Sequence, residues 1–523
     1  MPRDLVIEGG TVVDGTGAAP VRADVLIESG RIAAMGRFDK PPDAAVLDAT
    51  GLLVAPGFID IHSHSDYTLL VDPRARSAIH QGVTLEVVGN CGHGCFPIAD
   101  PAAARGAMYG HDDAVPLDWR TAAGYFDRLE AARPAVNVLS LVANGQLRLA
   151  VVGLADRAAT AGEADAMARA LEEALEQGAW GYSTGLEYAA ESGAPPAEIE
   201  ALCAVAARRG ALYATHTRRR DRGATAAVEE ALDTARQAGG RLQVSHLIPR
   251  SGEDEGRRCM EAVARAREDG LDVAYDMHTR LFGFTYLATV LPAWAADARG
   301  PELVAILRDP AARERMRGHR SILSEGGDWG RVVLLENAVC PEHAERDLAS
   351  LAAERGQEPL DTAYDLLLEA ADEPYALMVM IRCHTDAQQR EAFADGLCMP
   401  GSDATTLAPD GPLAGSVFHG AYGWAAWFYR FMVRETRLLS GAEAVRRLTS
   451  MPAERLGLAD RGVLRPGARA DLAIFDGERF AEQATVAEPN RLATGMEHVV
   501  VNGVLTLRDG EPTGDRAGEV LRR

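Results

Sequence analysis

The chain has 523 residues, 47% of them hydrophobic and 25% charged, the balance of a globular protein with a large core. Its 76 acidic and 54 basic side chains leave a net charge of −22, which argues against nucleic acid or an anionic membrane surface as the main partner, since both require a positive field. The seven cysteines are odd in number and scattered. No apolar run approaches the roughly 18 residues of a membrane span, and the amino terminus lacks a signal-like segment; a cytoplasmic protein with reduced thiols is expected.

Taken in chain order, the first 56 residues are strand-rich, with short β-branched or alternating runs at 4–9, 11–13 and 23–28. Strand-like segments then recur at 58–61, 84–88, 136–142, 180–184, 212–215, 242–245, 271–275 and 397–402. Amphipathic helices separate most of them; 164–176 and 197–208 carry a clear 3.6-residue period. Eight strands with helical crossovers predict an α/β fold, a parallel (β/α)8 TIM barrel over 57–459. The gap between the last two strands is too long for one helix, so a cap insertion is expected at about 277–395. The last 60 residues return to short strands, which predicts a small β-sandwich domain built from 1–56 and 460–523.

The chemistry concentrates at the strand ends. Gly57-Phe58-Ile59-Asp60-Ile61-His62-Ser63-His64 places two histidines at i and i+2, on the same side of a strand. Cys91 follows the second strand, His216 ends the fifth, His246 the sixth, and Asp403 follows Gly401-Ser402 at the eighth. The carboxyl ends of barrel strands form the active-site face, and imidazole, thiolate and carboxylate are the ligands zinc takes. Singly, each has an ordinary explanation as a buried cysteine, a hydrogen-bonded histidine or a helix N-cap. Six together at one end of five strands point to a metal site.

This pattern resembles the amidohydrolase superfamily, and within it the N-acyl-D-amino-acid deacylases (D-aminoacylases). The resemblance runs almost end to end, through 56–66, 81–92, 181–188, 213–218, 243–247 and 401–403, and on through Leu448 to Leu458 and Arg461 to Gly467. It implies a distorted barrel beside a β-sandwich made from both termini. It also implies that Cys91, His216 and His246 hold a tighter zinc, with His62, His64 and Asp403 completing a second, weaker position. Many superfamily members bridge two metals with a carbamylated barrel lysine. The one lysine here, Lys40, lies outside the barrel region, and Cys91 stands where the deacylases have a bridging cysteine. Cys95, four residues on, does not match the motif and reads as structural. The implied reaction is zinc-dependent hydrolysis of a small-molecule amide by metal-activated hydroxide, with Asp403 shuttling the proton and Tyr188 hydrogen-bonding the oxyanion.

The chain departs from the family around the substrate. Ile248, then Pro249 and Arg250, replace a usual lysine two positions after His246. Asp276-Met277-His278-Thr279-Arg280 replaces an Asp-x-Tyr-Pro-Tyr motif, His419-Gly420-Ala421 replaces His-Pro-Arg, and Glu187 stands where an aliphatic residue is usual. Tyr188, Arg218, His278, Arg280 and His419 are therefore the candidate substrate-binding residues, with Arg218 or Arg280 as replacement carboxylate ligands. The altered pocket keeps open a cyclic-amide hydrolase of the hydantoinase or dihydroorotase kind, or an amidase for a neutral or larger amide. Trp424, Trp427 and Phe428 read either as an apolar pocket wall or as helix core. Gly181-Tyr182-Ser183-Thr184-Gly185 fits the serine-hydrolase Gly-x-Ser-x-Gly pattern, which requires a strand–elbow–helix. A barrel scaffold without catalysis is the non-enzyme alternative. Oligomeric state is left open.

Overall fold

In the computed structural model, residues 4–105, 108, 112, 114–188, 190–250, 252–296 and 298–523 are described. Eight parallel strands form the central sheet in chain order: Phe58–Asp60, Val83–Val88, Asn137–Ala143, Gly181–Gly185, Leu212–His216, Arg241–Val244, Val273–His278 and Cys398–Gly401. Helices Ala161–Glu176, Pro196–Arg208, Ala224–Ala238 and Glu253–Glu268 make the outer crossovers. The first of these starts at a capping box in which the Thr160 and Glu163 side chains each satisfy the other residue's backbone N–H. Ile59, Ile61, Leu85, Val87, Leu139, Leu141, Leu212, Ala214 and Met399 pack in the barrel interior, so it is a filled core and not a pore.

The first and eighth strands meet only at their carboxyl ends. There Asp403 N donates to His62 O (2.8 Å) and His64 N donates to Ala404 O (2.8 Å). The closure that distorts the barrel thus runs through three of the candidate ligands.

The two ends of the chain interleave beside the barrel. Arg31–Gly36, Asp24–Glu28, Leu5–Glu8 and Ala45–Asp48 form a four-stranded sheet. A seven-stranded sheet pairs Leu53–Pro56, near the start, with Leu472–Phe475, near the end. Ile7, Val25, Ile27, Leu47 and Val54 from one end of the chain pack with Leu472, Ile474 and Val500 from the other. A buried knot of Arg461, Asp471, Asn502 and Asn137 ties this unit to the third barrel strand.

Between the seventh and eighth strands, Phe282–Tyr286, Met378–Arg382 and Val332–Leu334 make a three-stranded antiparallel sheet, with Phe282–Tyr286 on its edge. Helices and 3-10 turns around it enclose a separate core that includes Leu303, Leu334, Leu367, Val379 and Ile381. The inserted segment overlaps the barrel at both of its expected limits. The seventh strand continues through His278, and helix Asp386–Ala394 packs on the barrel through Phe393. Among the described residues, no helix is long and apolar enough to cross a membrane.

Candidate metal centre

The sequence-predicted ligands converge. One nitrogen, sulfur or oxygen atom from each of His62, His64, Cys91 and Asp403 lies within 4.8 Å of the others, and the same holds for Cys91, His216 and His246. Cys91 belongs to both groups. Its Sγ is 3.1 Å from His62 Nε2 and 3.4 Å from His246 Nε2. Asp403 Oδ1 is 3.2 Å from His64 Nε2 and 3.5 Å from His62 Nε2. Ligand atoms around a tetrahedral zinc, at 2.0–2.3 Å from the ion, stand roughly 3.3–3.8 Å apart, so the donors present and their spacing fit this metal.

The backbone is bent to achieve this. Cys91 (φ 53°), His246 (φ 34°) and Asp403 (φ 44°) all lie in the left-handed region, which costs a non-glycine residue about 1–3 kcal/mol. Each turn is held from outside. Ser183 Oγ accepts from Gly92 N and donates to Gly89 O, clasping the Cys91 loop on both sides. Buried Glu191 takes Gly185 N (3.0 Å) and Asn144 Nδ2 (2.7 Å) on its two oxygens, and its Oε1 fills the space a Cβ at Gly92 would need. Ser183 is therefore a buried clamp on a loop, and the serine-hydrolase alternative falls with it.

Polar partners orient the candidate ligands. Asp276 Oδ1 accepts from His246 N and lies 2.9 Å from His62 Nδ1, while Gln243 Nε2 donates to Asp276 Oδ2. Glu187 Oε2 is 2.9 Å from His216 Nε2, and its other oxygen pairs with Arg250. Burial alone would raise the Glu187 carboxyl, but the Arg250 charge and the His216 contact hold it well below the usual carboxylate range. Burial likewise opposes ionisation of Cys91, and His62 and His246 overcome it, drawing the thiol well below its ordinary value. Asp403 is held low against burial by His64, His246, His62 and Arg280. Arg280 Nη2 donates to Asp403 Oδ2 (3.0 Å) and to its carbonyl (2.9 Å), fixing the carboxylate's rotation.

A cavity of about 610 Å³ opens over the cluster, lined by His216, His246 and Asp403 together with Glu187, Tyr188, Arg220, Arg250, His278, Arg280 and His384. His278 and His384 stand 5.2 Å apart; His278 Nδ1 and both ring nitrogens of His384 are buried without a hydrogen-bond partner. Burial and the neighbouring arginines hold both imidazoles well below their ordinary pKa. Tyr188 Oη is 3.3 Å from His216 Nδ1. His419 also lines the cavity, but its ring lies flat on Phe284 (3.6 Å) and its Nε2 is 3.2 Å from Val486 O, which makes it wall.

Arg218, a candidate substrate-binding residue by sequence, does not reach the cavity. The chain leaves the fifth strand after His216, and the Arg218 guanidinium turns away to Glu230 and the carbonyls of Ser192 and Ala194, outside the cavity. Phe428 and Trp424 are core, with Trp427 packed against them; Trp424 and Trp427 also edge a second cavity of about 290 Å³ that shares Arg280, Phe282 and His419 with the first. Cys95 is fully buried among Phe96, Tyr125 and their neighbours. Lys40 pairs with Glu8 (2.7 Å), away from the barrel. Sequence reasoning missed Asp276, Arg220 and His384 as parts of the site. Asp276 was legible as a strand-end acid; His384 lies in the long insertion with no local signature.

A parallel barrel with a thiolate, imidazole and carboxylate cage at its carboxyl end defines a metal-dependent barrel enzyme. The chain matches the Amidohydrolase family over residues 45–507, and it belongs to that family. It is 35% identical to an N-acyl-D-glutamate deacylase of Alcaligenes xylosoxydans xylosoxydans, over 99% of this chain and 96% of that one. Its structure is similar to the N-acyl-D-glutamate deacylase of Bordetella bronchiseptica complexed with zinc and a phosphonate mimic of the tetrahedral intermediate (TM-score 0.79, 33% identity, both chains covered in full). It is equally similar to a D-aminoacylase studied for its binuclear metal centre, with one-metal activation and second-metal attenuation (TM-score 0.80, 30% identity, both chains covered in full).

Proposed function

We propose that the protein is a zinc-dependent N-acyl-D-amino-acid deacylase, splitting a small amide into a carboxylate and a free amine. The observation that carries this reading is the Cys91 thiolate shared by two ligand groups beside Asp403, in a chain 35% identical along nearly its whole length to an N-acyl-D-glutamate deacylase. Cys91, His216 and His246 would hold the tighter ion, and His62, His64 and Asp403 a second, weaker position. When bound, zinc supplies Lewis acidity, bringing the pKa of water toward neutrality and polarising a carbonyl.

The chain's own groups do the rest. Asp403, ionised at neutral pH and steered by Arg280, takes the proton of the attacking water on Oδ1. As the C–N bond breaks and a C–O bond forms, it passes that proton to the departing nitrogen, because an amine leaves poorly unprotonated. Tyr188 is the phenol available to hydrogen-bond the developing oxyanion. Arg220 and Arg250 give the cavity a cationic end, and the neutral imidazoles of His278 and His384 add hydrogen-bonding groups there, suited to the substrate's carboxylate. The cyclic-amide alternative is not favoured: relatives matched along the whole chain at 33–35% identity are named as deacylases of N-acyl-D-glutamate and N-acyl-D-aspartate.

The test is amine release from N-acetyl-D-amino acids, their L-enantiomers and neutral amides, with and without a zinc chelator. Chelator-sensitive turnover of the D-series is expected. Turnover of neutral or cyclic amides alone would overturn the reading.

A further inference from the structure

The cavity has an apolar side that the deacylase chemistry does not use. All five residues of the edge strand Phe282–Tyr286 line it. Phe282, Phe284 and Tyr286 alternate along the strand and therefore project from one face, with Met378 paired directly opposite Tyr286. Val417 and Phe418, from the loop after the eighth barrel strand, also line it. The neighbouring strand turns Val379 and Ile381 into the core of the insertion, so that face of the sheet is already occupied.

The lining is graded along the strand. Arg280 leads directly into the Phe282 end, and His384 N donates to Leu281 O beside it; at the other end Tyr286 remains 42% exposed, a large hydrophobic group left in water. Four strand steps of 3.4 Å put about 14 Å between these ends. A short acyl group such as acetyl would leave most of this wall unused. Because the charged groups collect at the inner end, a substrate's carboxylate-bearing half belongs there and its acyl half along the strand.

We propose that the edge strand Phe282–Tyr286 is an acyl-binding wall, and that the preferred substrates are N-acyl amino acids with long unbranched or aryl-terminated apolar acyl groups. This rests on the deacylase reading above. The products would be a fatty or aryl carboxylate and the free amino acid.

The experiment holds one D-amino acid constant and varies the acyl group through acetyl, hexanoyl, decanoyl, phenylacetyl and a hydroxylated chain as long as decanoyl. Burial of apolar surface predicts kcat/KM rising roughly three- to four-fold per methylene over the first several carbons. The hydroxylated chain should fall well behind decanoyl. Tyr286→Ala, at an exposed position that folding tolerates, and Phe284→Ala should each cut the decanoyl-to-acetyl ratio by about tenfold. Turnover with a flat or inverted chain-length dependence, or ratios unchanged in both variants, overturns the acyl wall and leaves the deacylase reading intact. Calorimetric titration of the zinc-loaded protein with decanoate and with acetate separates the opposite case. Phe284-dependent binding of decanoate, with no hydrolysis of any acyl amino acid, would support the wall and overturn the deacylase reading.

Discussion

Glu187 is the most informative residue to perturb, because it reaches a candidate ligand directly. Its carboxylate bridges His216 Nε2 at 2.9 Å and Arg250. A proton held on Nε2 by a carboxylate leaves Nδ1 as the lone-pair nitrogen, so Glu187 sets both the ring's tautomer and its angle. Replacing it with glutamine keeps an acceptor but removes the charge; leucine removes both, and with them the carboxylate paired with Arg250, which is 6% exposed. A hydrogen bond to a charged group contributes about 1.5–3 kcal/mol, and loss of such an outer partner typically costs 10- to 100-fold in metal affinity. Glu187→Gln should weaken zinc binding about tenfold and Glu187→Leu up to about 100-fold. The assay is competition for zinc between the apoprotein and a chromophoric chelator, with circular dichroism confirming that each variant folds. Zinc affinity within a factor of about two of wild type in both variants would refute the positioning argument.

Three further outcomes are expected. Asp403→Asn should lower kcat by about 10²–10⁴-fold with substrate KM little changed, as loss of a proton shuttle does, read by steady-state kinetics on the zinc-loaded protein. Burial pushes the Glu191 carboxyl up to about 7, so wild-type stability from this group is full below its ordinary value of 4.5 and falls by about 3 kcal/mol as pH rises from there through 7; Glu191→Gln should flatten that dependence in denaturant unfolding at pH 4 and pH 8, while lowering stability at pH 4 because its amide nitrogen cannot accept from Gly185 N or Asn144 Nδ2. Asp471→Ala removes one half of a buried ion pair with Arg461 and should cost about 3–5 kcal/mol in chemical denaturation, without changing zinc affinity.

Which parts of the site could be read from sequence follows from how each residue is placed. His62, His64, Cys91, His216, His246 and Asp403 announce themselves because a barrel brings strand ends together, and each stands at or just past such an end. Arg218 misled because two residues past His216 is the same face only while the strand continues, and here it stops. Ser183 was ambiguous because a Gly-x-Ser-x-Gly spacing says nothing about whether the hydroxyl faces substrate or clamps a loop; its bonds to the Cys91 loop decide that. Arg250 and Glu187 were visible only as departures, since the pairing across 63 residues is a tertiary fact. The alternation of Phe282, Phe284 and Tyr286 reads as a strand face, but which way it looks depends on how the insertion docks over the barrel mouth.

The central claim is a zinc ion held by the Cys91 thiolate together with imidazoles at the carboxyl end of the barrel. X-ray absorption at the zinc edge, on protein loaded with one equivalent of zinc, tests it most directly. The account expects one sulfur at about 2.3 Å and nitrogen or oxygen neighbours at about 2.0–2.1 Å, with the sulfur shell lost in Cys91→Ser. A shell of nitrogen and oxygen alone in the wild-type protein would contradict it.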